Sequence, residues 1–136
     1  MRSALVDDVA QALGAPEQPL ELVRRAFAVD RVSLARIDLR ERRFEIAAEA
    51  GAELLGPGTA LPLSTCSYFA QVAEGEAFHD EDFDHSRSFD RPVDSVVLAT
   101  GFHSGCSVPV RHRGEVVGAI SLSDSQRSEA MADFVA

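Results

Sequence analysis

Residues Gly105–Leu122, GCSVPVRHRGEVVGAISL, form the most informative stretch of the chain. Two apolar runs of strand length flank a short polar segment, a pattern typical of two strands joined by a tight turn. The second run contains Gly118, Ala119 and Ser121, where a filled core would place larger side chains. Glycine in a strand can admit a closely packed helix or backbone, and the missing bulk can equally form the floor of a cavity. The stretch predicts a hairpin and leaves both explanations open.

The composition of the 136-residue chain indicates a single globular domain. Its formal net charge of -9 repels a phosphate backbone, so we expect no direct binding to nucleic acid. No apolar run approaches the roughly 18 residues of a membrane helix, so we expect no membrane partner. Asp7 and Asp8 interrupt the region where a signal peptide needs an unbroken apolar core, which predicts a cytoplasmic protein.

Apolar spacing predicts helices at the N-terminus, followed by a pair of strands. Residues 3–29 have the pattern of two short helices, with Pro19 in the first turn of the second. Over Val32–Leu39 the period changes to two, and Phe44–Glu49 alternates in the same way. We expect these two segments to pair antiparallel, with one face of the second turned toward water.

The next segment predicts a shaped loop and a helix. Gly51–Leu63 contains three glycines and two prolines, which is incompatible with regular structure. Ser64 or Thr65 can cap a helix that extends through Glu74, because their hydroxyls accept hydrogen bonds from the first free N–H groups.

The remaining segments complete a mixture of helices and strands. Residues 77–79 suggest a short extended piece, and residues 80–90 a polar loop. A helix begins at Pro92 and ends at Gly101, and another begins near residue 127. Helices mixed with hairpin-like strand pairs predict an α+β fold on an antiparallel sheet.

The order of these segments resembles the GAF domain family, a small sensory module of bacterial signalling proteins. The resemblance extends from about Leu20 to the C-terminus. Its most specific part is a strand with the pattern G-x-x-S-x-x-x-x-P followed by a strand with G-x-x-x-G. The segments that carry it are Val32–Asp38, Ala50-Gly51, Gly58–Leu63, Glu74-Gly75, Gly101–Val110 and Gly114–Leu122.

The resemblance implies a central antiparallel sheet of about six strands. Terminal helices would cover one face, and the middle helices and loops would cover the other, where they can enclose a small-molecule pocket. The small residues Gly118, Ala119 and Ser121 would then form the floor of the pocket. The residues expected to fill the opposite, helix-covered side are Val116, Ile120 and Leu122. We expect one domain over residues 1–136, with its last helix cut short as in a fragment of a larger signalling protein.

The pocket implied by the resemblance draws on the middle of the chain and on the first strand of the closing hairpin. Phe83 and Phe89 lie within the polar loop, and we expect them either to fold back as apolar lids or to anchor the loop to the core. The expected ligand-binding residues are Cys66, Phe69, Phe78, Phe83, Phe89, Val93, Val97, His103 and Cys106.

A calcium site is excluded by the polar loop itself. Asp80, Asp82 and Asp84 have the spacing that opens a calcium loop. The sixth position requires glycine for a sharp turn but holds His85, and the twelfth requires glutamate but holds Arg91. The loop's carboxylates and histidines leave a transition-metal site as a minor alternative to plain solvation.

The sequence does not identify a cofactor. Haem binding, found in some GAF domains, would require His79, His85 or His103 as an axial ligand. Bilin-binding members attach through a cysteine followed by histidine, whereas serine follows both Cys66 and Cys106 here. The signature of cyclic-nucleotide-binding members is absent.

An enzymatic role is the less favoured hypothesis. Some small GAF proteins reduce free methionine sulfoxide, and Cys66 and Cys106 would have to serve as nucleophile and resolving thiol. Their placement differs from that subgroup. The simpler interpretation is that both are small buried thiols. No glycine-rich phosphate loop or Ser-His-Asp order suggests other catalysis.

The sequence therefore predicts a non-catalytic domain that senses a small molecule or redox state. It would act through its terminal helices, as a homodimer, on an effector domain of the same polypeptide. The resemblance to GAF domains implies that this effector is a histidine kinase, a phosphatase or a DNA- or RNA-binding module that regulates transcription. The competing hypothesis is a ligand-free interaction module with a filled core. Its dimer seam would be Leu5, Val6, Val9 and Leu13.

Overall fold

The elements of the protein follow the order expected from its sequence, except that a short strand, Ala60–Pro62, lies within Gly51–Leu63, where no regular structure was expected. The structure is a computed structural model and describes residues 17–83, 89–126 and 130–135. The helical pattern of residues 3–13, with its proposed dimer seam, and the start of the last helix near residue 127 lie outside these residues. The elements are α1 (Glu17–Phe27), β1 (Arg31–Asp38), β2 (Arg43–Gly51), β3 (Ala60–Pro62), a 3-10 turn (Leu63–Thr65), α2 (Ser67–Ala73), β4 (Phe78–Asp80), α3 (Pro92–Thr100), β5 (Ser104–His112), β6 (Glu115–Asp124) and α4 (Ala130–Val135).

The six strands form one antiparallel sheet in the order β3-β2-β1-β6-β5-β4. Every neighbouring pair is antiparallel. The closing hairpin turns at Arg113 and Gly114, with φ of 51° and 81°. Two consecutive positive φ values give the turn whose twist suits two adjacent strands. The expected α+β fold and its six-stranded sheet are confirmed.

Two separate hydrophobic clusters cover the two faces of the sheet. The helix-side cluster joins the sheet to α1 and α4, and the pocket-side cluster joins it to α2, α3 and the loop residues. The buried members of the helix-side cluster are Leu20, Val29, Val32, Leu34, Ala48, Ala50, Cys106, Val117, Leu122 and Met131. Those of the pocket-side cluster include Ala35, Ile37, Phe44, Ile46, Leu63, Cys66, Tyr68, Phe69, Val72, Phe83, Phe89, Val93, Val97 and Phe102.

A bulge in β2 changes which side chains reach the core. The register with β1 passes from Ala48 directly to Ile46, so Ala47 is an extra residue. Ile46 belongs to the pocket-side cluster and Ala48 to the helix-side cluster. Glu49 consequently lies on the pocket side, where its side chain is 5% exposed. The expectation that one face of this strand meets water is wrong at that residue.

A second bulge, in β6, corrects two expected placements. The register with β5 passes from Gly118 to Val116, leaving Val117 as the extra residue. Val116 therefore joins the pocket-side cluster, although we expected it under the helices. Gly118 alternates with Ile120 and Leu122 and so lies on the helix side, not in the floor of the pocket. Ala119 lies on the pocket side as expected.

Helix α2 begins later than the sequence suggested. Leu63–Thr65 form a 3-10 turn, and Cys66 is extended, with φ -139° and ψ 116°. The Thr65 hydroxyl donates back to the carbonyl of Pro62 instead of capping a helix. The first N–H of α2, at Ser67, is satisfied from a distant element, because it donates to the Asp94 carboxylate over 3.0 Å. Among the described residues, no helix has the length and apolar content needed to cross a membrane.

Candidate ligand-binding site

Seven of the expected ligand-binding residues meet on the pocket side of the sheet. Six of them are buried in the pocket-side cluster, and Phe78 is half-buried against it. The remaining two, His103 and Cys106, lie elsewhere. The seven are Cys66, Phe69, Phe78, Phe83, Phe89, Val93 and Val97.

Phe83 and Phe89 occupy the centre of this region as a stacked pair. Their ring centroids are 4.2 Å apart with an interplanar angle of 7°. Phe78 and Tyr68 extend the aromatic group, with centroids 6.2 Å and 6.4 Å from that of Phe89. Both stacked residues are turned inward, since Phe83 is 3% and Phe89 4% exposed.

The space beneath the aromatic group is nearly full. A cavity of about 10 Å³ remains between Tyr68, Phe78, Phe83 and Val97 above and the central strands below. That volume is enough for roughly one water molecule. The two phenylalanines do fold back on the sheet, but they fill the expected hollow instead of covering an empty one.

Gly105 explains how the Phe83 ring reaches the sheet. A β-carbon at Gly105 would lie 2.7 Å from Cζ of Phe83 and 3.0 Å from the carbonyl oxygen of Leu122. Such contacts are too close for any side chain, so glycine is required for this approach. The main-chain N–H of Phe83 is also fixed, because it donates to the carbonyl of His103 over 2.7 Å.

The floor of the site is polar although it is buried. Ser33, Ser121 and Ser107 lie side by side on the central strands β1, β6 and β5. The hydroxyls of Ser107 and Ser121 are hydrogen-bonded over 2.5 Å. Ser33 is 0% exposed, and its hydroxyl has no hydrogen-bond partner among the residues that the structure describes. We call Ser33, Ser107, Ser121 and the adjacent Ser123 the serine floor.

A buried ion pair adjoins the serine floor, and the sequence analysis missed it. Arg31 is 1% exposed, and its Nε donates to the Glu49 carboxylate over 2.7 Å. Its Nη1 lies 3.5 Å from the hydroxyl of Ser123. The main-chain N–H groups of Leu54 and Gly56 donate to the same carboxylate over 3.3 Å and 2.8 Å. The pair therefore brings no net charge to the site.

The two cysteines lie on opposite faces of the sheet. Cys66 is on the pocket side, whereas Cys106 pairs with Leu122 and belongs to the helix-side cluster. The Cys106 side chain therefore packs on the helix side, although Cys106 also borders the small cavity beneath Phe83. Burial raises the pKa of each thiol to about 12, so both are protonated near neutral pH. Neither is a ready nucleophile, and the sheet separates them.

The other polar groups near the site are held neutral or face away from it. Burial raises the pKa of the Tyr68 phenol well above its usual value, and the proximity of Cys66 adds to the effect. His79 lies across from Cys106, and its Nε2 is buried without a hydrogen-bond partner. His103 precedes β5. Within residues 17–83, 89–126 and 130–135, no three histidine, cysteine or acidic side chains are grouped as metal ligands.

A chain of hydrogen bonds links the site to the segments that carry the terminal helices. The carbonyl of His103 accepts from Phe83, and its N–H donates to the carbonyl of Asp124 over 2.8 Å. The Asp124 carboxylate accepts from the N–H of Asp30 over 3.2 Å, and the Asp30 carboxylate accepts from the N–H of Ser125 over 2.9 Å. Asp30 connects α1 to β1, and Ser125 follows β6 on the way to α4.

Comparison with known families agrees with this architecture. The sequence model of the GAF domain family matches residues 17–135. The chain belongs to the GAF domain family. No curated protein matches the GAF chain in sequence. GAF domains are sensory and regulatory modules of signalling proteins.

Solved structures of GAF domains share the fold at low sequence identity. The GAF domain of an Acinetobacter phosphoenolpyruvate-protein phosphotransferase superposes with a TM-score of 0.71 at 21% identity, covering 98% of this chain and 82% of that one. That of a Bacillus halodurans two-component sensor histidine kinase gives 0.67 at 13%, covering 85% and 80%. Free methionine-R-sulfoxide reductase from Neisseria meningitidis, solved with its substrate, gives 0.68 at 16%, covering 94% and 71%. At these identities the likeness concerns the fold alone.

Proposed function

We propose that this GAF domain is a non-catalytic sensor whose own phenylalanines occupy the pocket until a small molecule replaces them. The stacked Phe83 and Phe89 side chains over the serine floor carry this proposal. They fill a region where burying polar groups costs free energy. Because Gly105 has no side chain, the Phe83 ring can approach the sheet there. A ligand that displaces them changes a defined packing arrangement, which a sensor requires.

The hydrogen bonds from Phe83 to the terminal helices support a route for the signal. Moving Phe83 disturbs its bond to His103, and His103 is bonded in turn to Asp124 at the end of β6. We propose that the displaced state alters how α1 and α4 leave the sheet. Those helices would act on an effector domain of the same polypeptide, in the cytoplasm, through a homodimer.

Two observations bear on the alternatives. The nearly filled pocket favours the competing hypothesis of a ligand-free interaction module. The likeness to a methionine sulfoxide reductase raises an enzymatic role. The buried thiols argue against that role here, since their pKa values of about 12 leave them protonated and they face opposite sides of the sheet. A sensor remains the function that best accounts for the buried serine floor.

Native mass spectrometry of the protein purified from its own host tests the proposal. We expect a co-purifying small molecule at partial occupancy in the wild-type domain. Phe83→Ala removes the side chain that competes with the ligand for the pocket. Burying a phenylalanine is worth about 1.5–3 kcal/mol, so this variant should bind the ligand roughly tenfold more tightly or better and show a higher occupancy.

Val96→Ala is the matched control, because Val96 on α3 is 42% exposed and does not belong to the pocket-side cluster. It should leave occupancy unchanged. Bare protein in all three samples, with a stable dimer, would overturn the sensor proposal and favour the interaction module.

A further inference from the structure

The chemistry of the filled pocket indicates what can replace the phenylalanines. Building on the sensory function proposed above, we propose that the ligand is a planar aromatic ring with an uncharged polar group at its edge. The ring takes the place of the Phe83 side chain, and the polar group bonds to the serine floor.

The shape of the occupied space indicates a planar ring. Phe83 and Phe89 are nearly parallel, with 7° between their planes, so the space they fill is a flat slot. The tip of the Phe83 ring reaches the backbone at Gly105, which closes that end of the slot. Phe78 stacks at 27° to Phe89 and supplies a further apolar face. A flat ring that stacks on aromatic neighbours matches these walls.

The serine floor indicates a polar edge. Ser107, Ser121 and Ser123 line the small cavity beneath Phe83, so their hydroxyls are the polar groups that a ligand would meet there. Burying hydroxyls whose hydrogen-bonding capacity is not fully used is unfavourable. A group that both donates and accepts hydrogen bonds in this cavity can bond to the Ser107 and Ser121 hydroxyls without breaking the bond between them.

The charges around the slot indicate that the polar group is neutral. Arg31 is paired with Glu49, whose carboxylate also accepts two main-chain N–H groups. Tyr68 and Cys66 are buried in protonated, uncharged form. A charged ligand would enter a buried site where the charges on the floor are already matched, and it would lose its hydration without compensation.

Three small probes, measured by calorimetry on Phe83→Ala, test the proposal. Phenol and toluene have the same shape but differ in the hydroxyl, and benzoate adds a charge. A purely apolar cavity prefers toluene, because phenol's hydroxyl is left unbonded. We expect phenol to bind at least as tightly as toluene, and benzoate at least tenfold more weakly than phenol. Adding Ser107→Ala and Ser121→Ala, which removes both hydroxyls of the bonded pair, should reverse the preference, making toluene about tenfold tighter.

Toluene binding more tightly than phenol in Phe83→Ala, or benzoate binding most tightly, would contradict the proposal. If Phe83→Ala does not fold, Phe89→Ala opens the other half of the slot and carries the same comparison. The outcome is separable from that of the sensor test. A charged or non-planar molecule co-purifying from the host overturns this inference and leaves the sensor intact. A preference for phenol without any host molecule supports the site's chemistry and overturns the sensor.

Discussion

Single residues on the floor of the pocket determine whether it is built for the protein alone or for a ligand. A core selected only for stability would replace Ser33 with alanine, since the hydroxyl is fully buried and bonds to no residue in the described part of the chain. Its neighbour Ser121 is in a different position, because it shares a hydrogen bond with Ser107. The two residues therefore respond to the same change in opposite directions.

Ser33→Ala should raise the free energy of unfolding by about 1 kcal/mol, because the desolvation penalty of an unpaired hydroxyl disappears. Ser107→Ala is the matched control. It should lower the free energy of unfolding by about 1 kcal/mol, since it leaves Ser121 without its partner. Urea denaturation of both variants measures the difference. Destabilisation by Ser33→Ala would mean that the hydroxyl has a partner and that the floor is an ordinary part of the core.

At the scale of elements, one carboxylate joins the two helices that wall the pocket. Asp94, in the first turn of α3, is 0% exposed and accepts from the main-chain N–H and the hydroxyl of Ser67 at the start of α2. It also accepts from the N–H of Arg91, which caps its own helix. Negative charge at the N-termini of helices is stabilising, and here one side chain serves two of them.

Asp94→Ala should lower the free energy of unfolding by about 2–4 kcal/mol, because it removes charge-assisted hydrogen bonds and leaves buried N–H groups unpaired. Asp94→Asn keeps one acceptor oxygen and should cost less. Asp90→Ala, at an exposed neighbouring position, should change stability by less than about 0.5 kcal/mol. Equal effects of the Asp94 and Asp90 variants would show that α2 and α3 are not held together in this way.

Two carboxylates, those of Asp30 and Asp124, lie at the junction of the terminal helices and make the stability of the domain depend on pH. Burial raises the pKa of Asp124, and the nearby charge of Asp30 adds to the effect. Hydrogen bonds from Ser125 lower the pKa of Asp30. A raised native pKa favours the protonated form, so the contribution of Asp124 to stability is present at low pH and is lost as pH rises through that pKa.

Asp124→Asn should therefore stabilise the domain at pH 7, because its neutral amide can still accept from the N–H of Asp30 and does not repel the Asp30 carboxylate. The gain should shrink toward zero as pH falls below the native pKa of Asp124, where the wild-type side chain is itself protonated. Thermal unfolding between pH 3 and pH 7 checks this. A gain in stability that stays constant with pH would show that repulsion between Asp124 and Asp30 does not lower the stability of the domain.

For the whole molecule, the sequence predicts the layers better than the site between them. The strand pairs follow from local alternation and turn residues, so the six-stranded sheet and its two covered faces could be anticipated. Neither bulge was predicted, although an isolated glycine within a strand, such as Gly118 beside the second bulge, can mark one. A regular hairpin would place Cys106 opposite Ser121 and in the pocket, whereas the extra Val117 shifts its partner to Leu122 and turns it to the helix side.

The contents of the pocket also depended on contacts between distant segments. The extra Ala47 in β2 returns Glu49 to the pocket side beside Arg31, so their ion pair could not be expected from alternation. The seven residues that do meet in the pocket were identifiable because they are apolar and follow loop or helix signals. Phe83 fills the space because its ring approaches Gly105. The two residues are far apart in the sequence, so this contact could not be predicted from local patterns.

The central claim is that Phe83 leaves the sheet when a small molecule binds. Nuclear Overhauser effects between the Phe83 ring protons and the Gly105 α-protons measure this contact directly. They are recorded first in the domain refolded without small molecules, and again after a small-molecule extract of its host has been added until native mass spectra show full occupancy. The account predicts that the effect is present in the bare protein and lost at full occupancy. An effect that persists unchanged at full occupancy would contradict it.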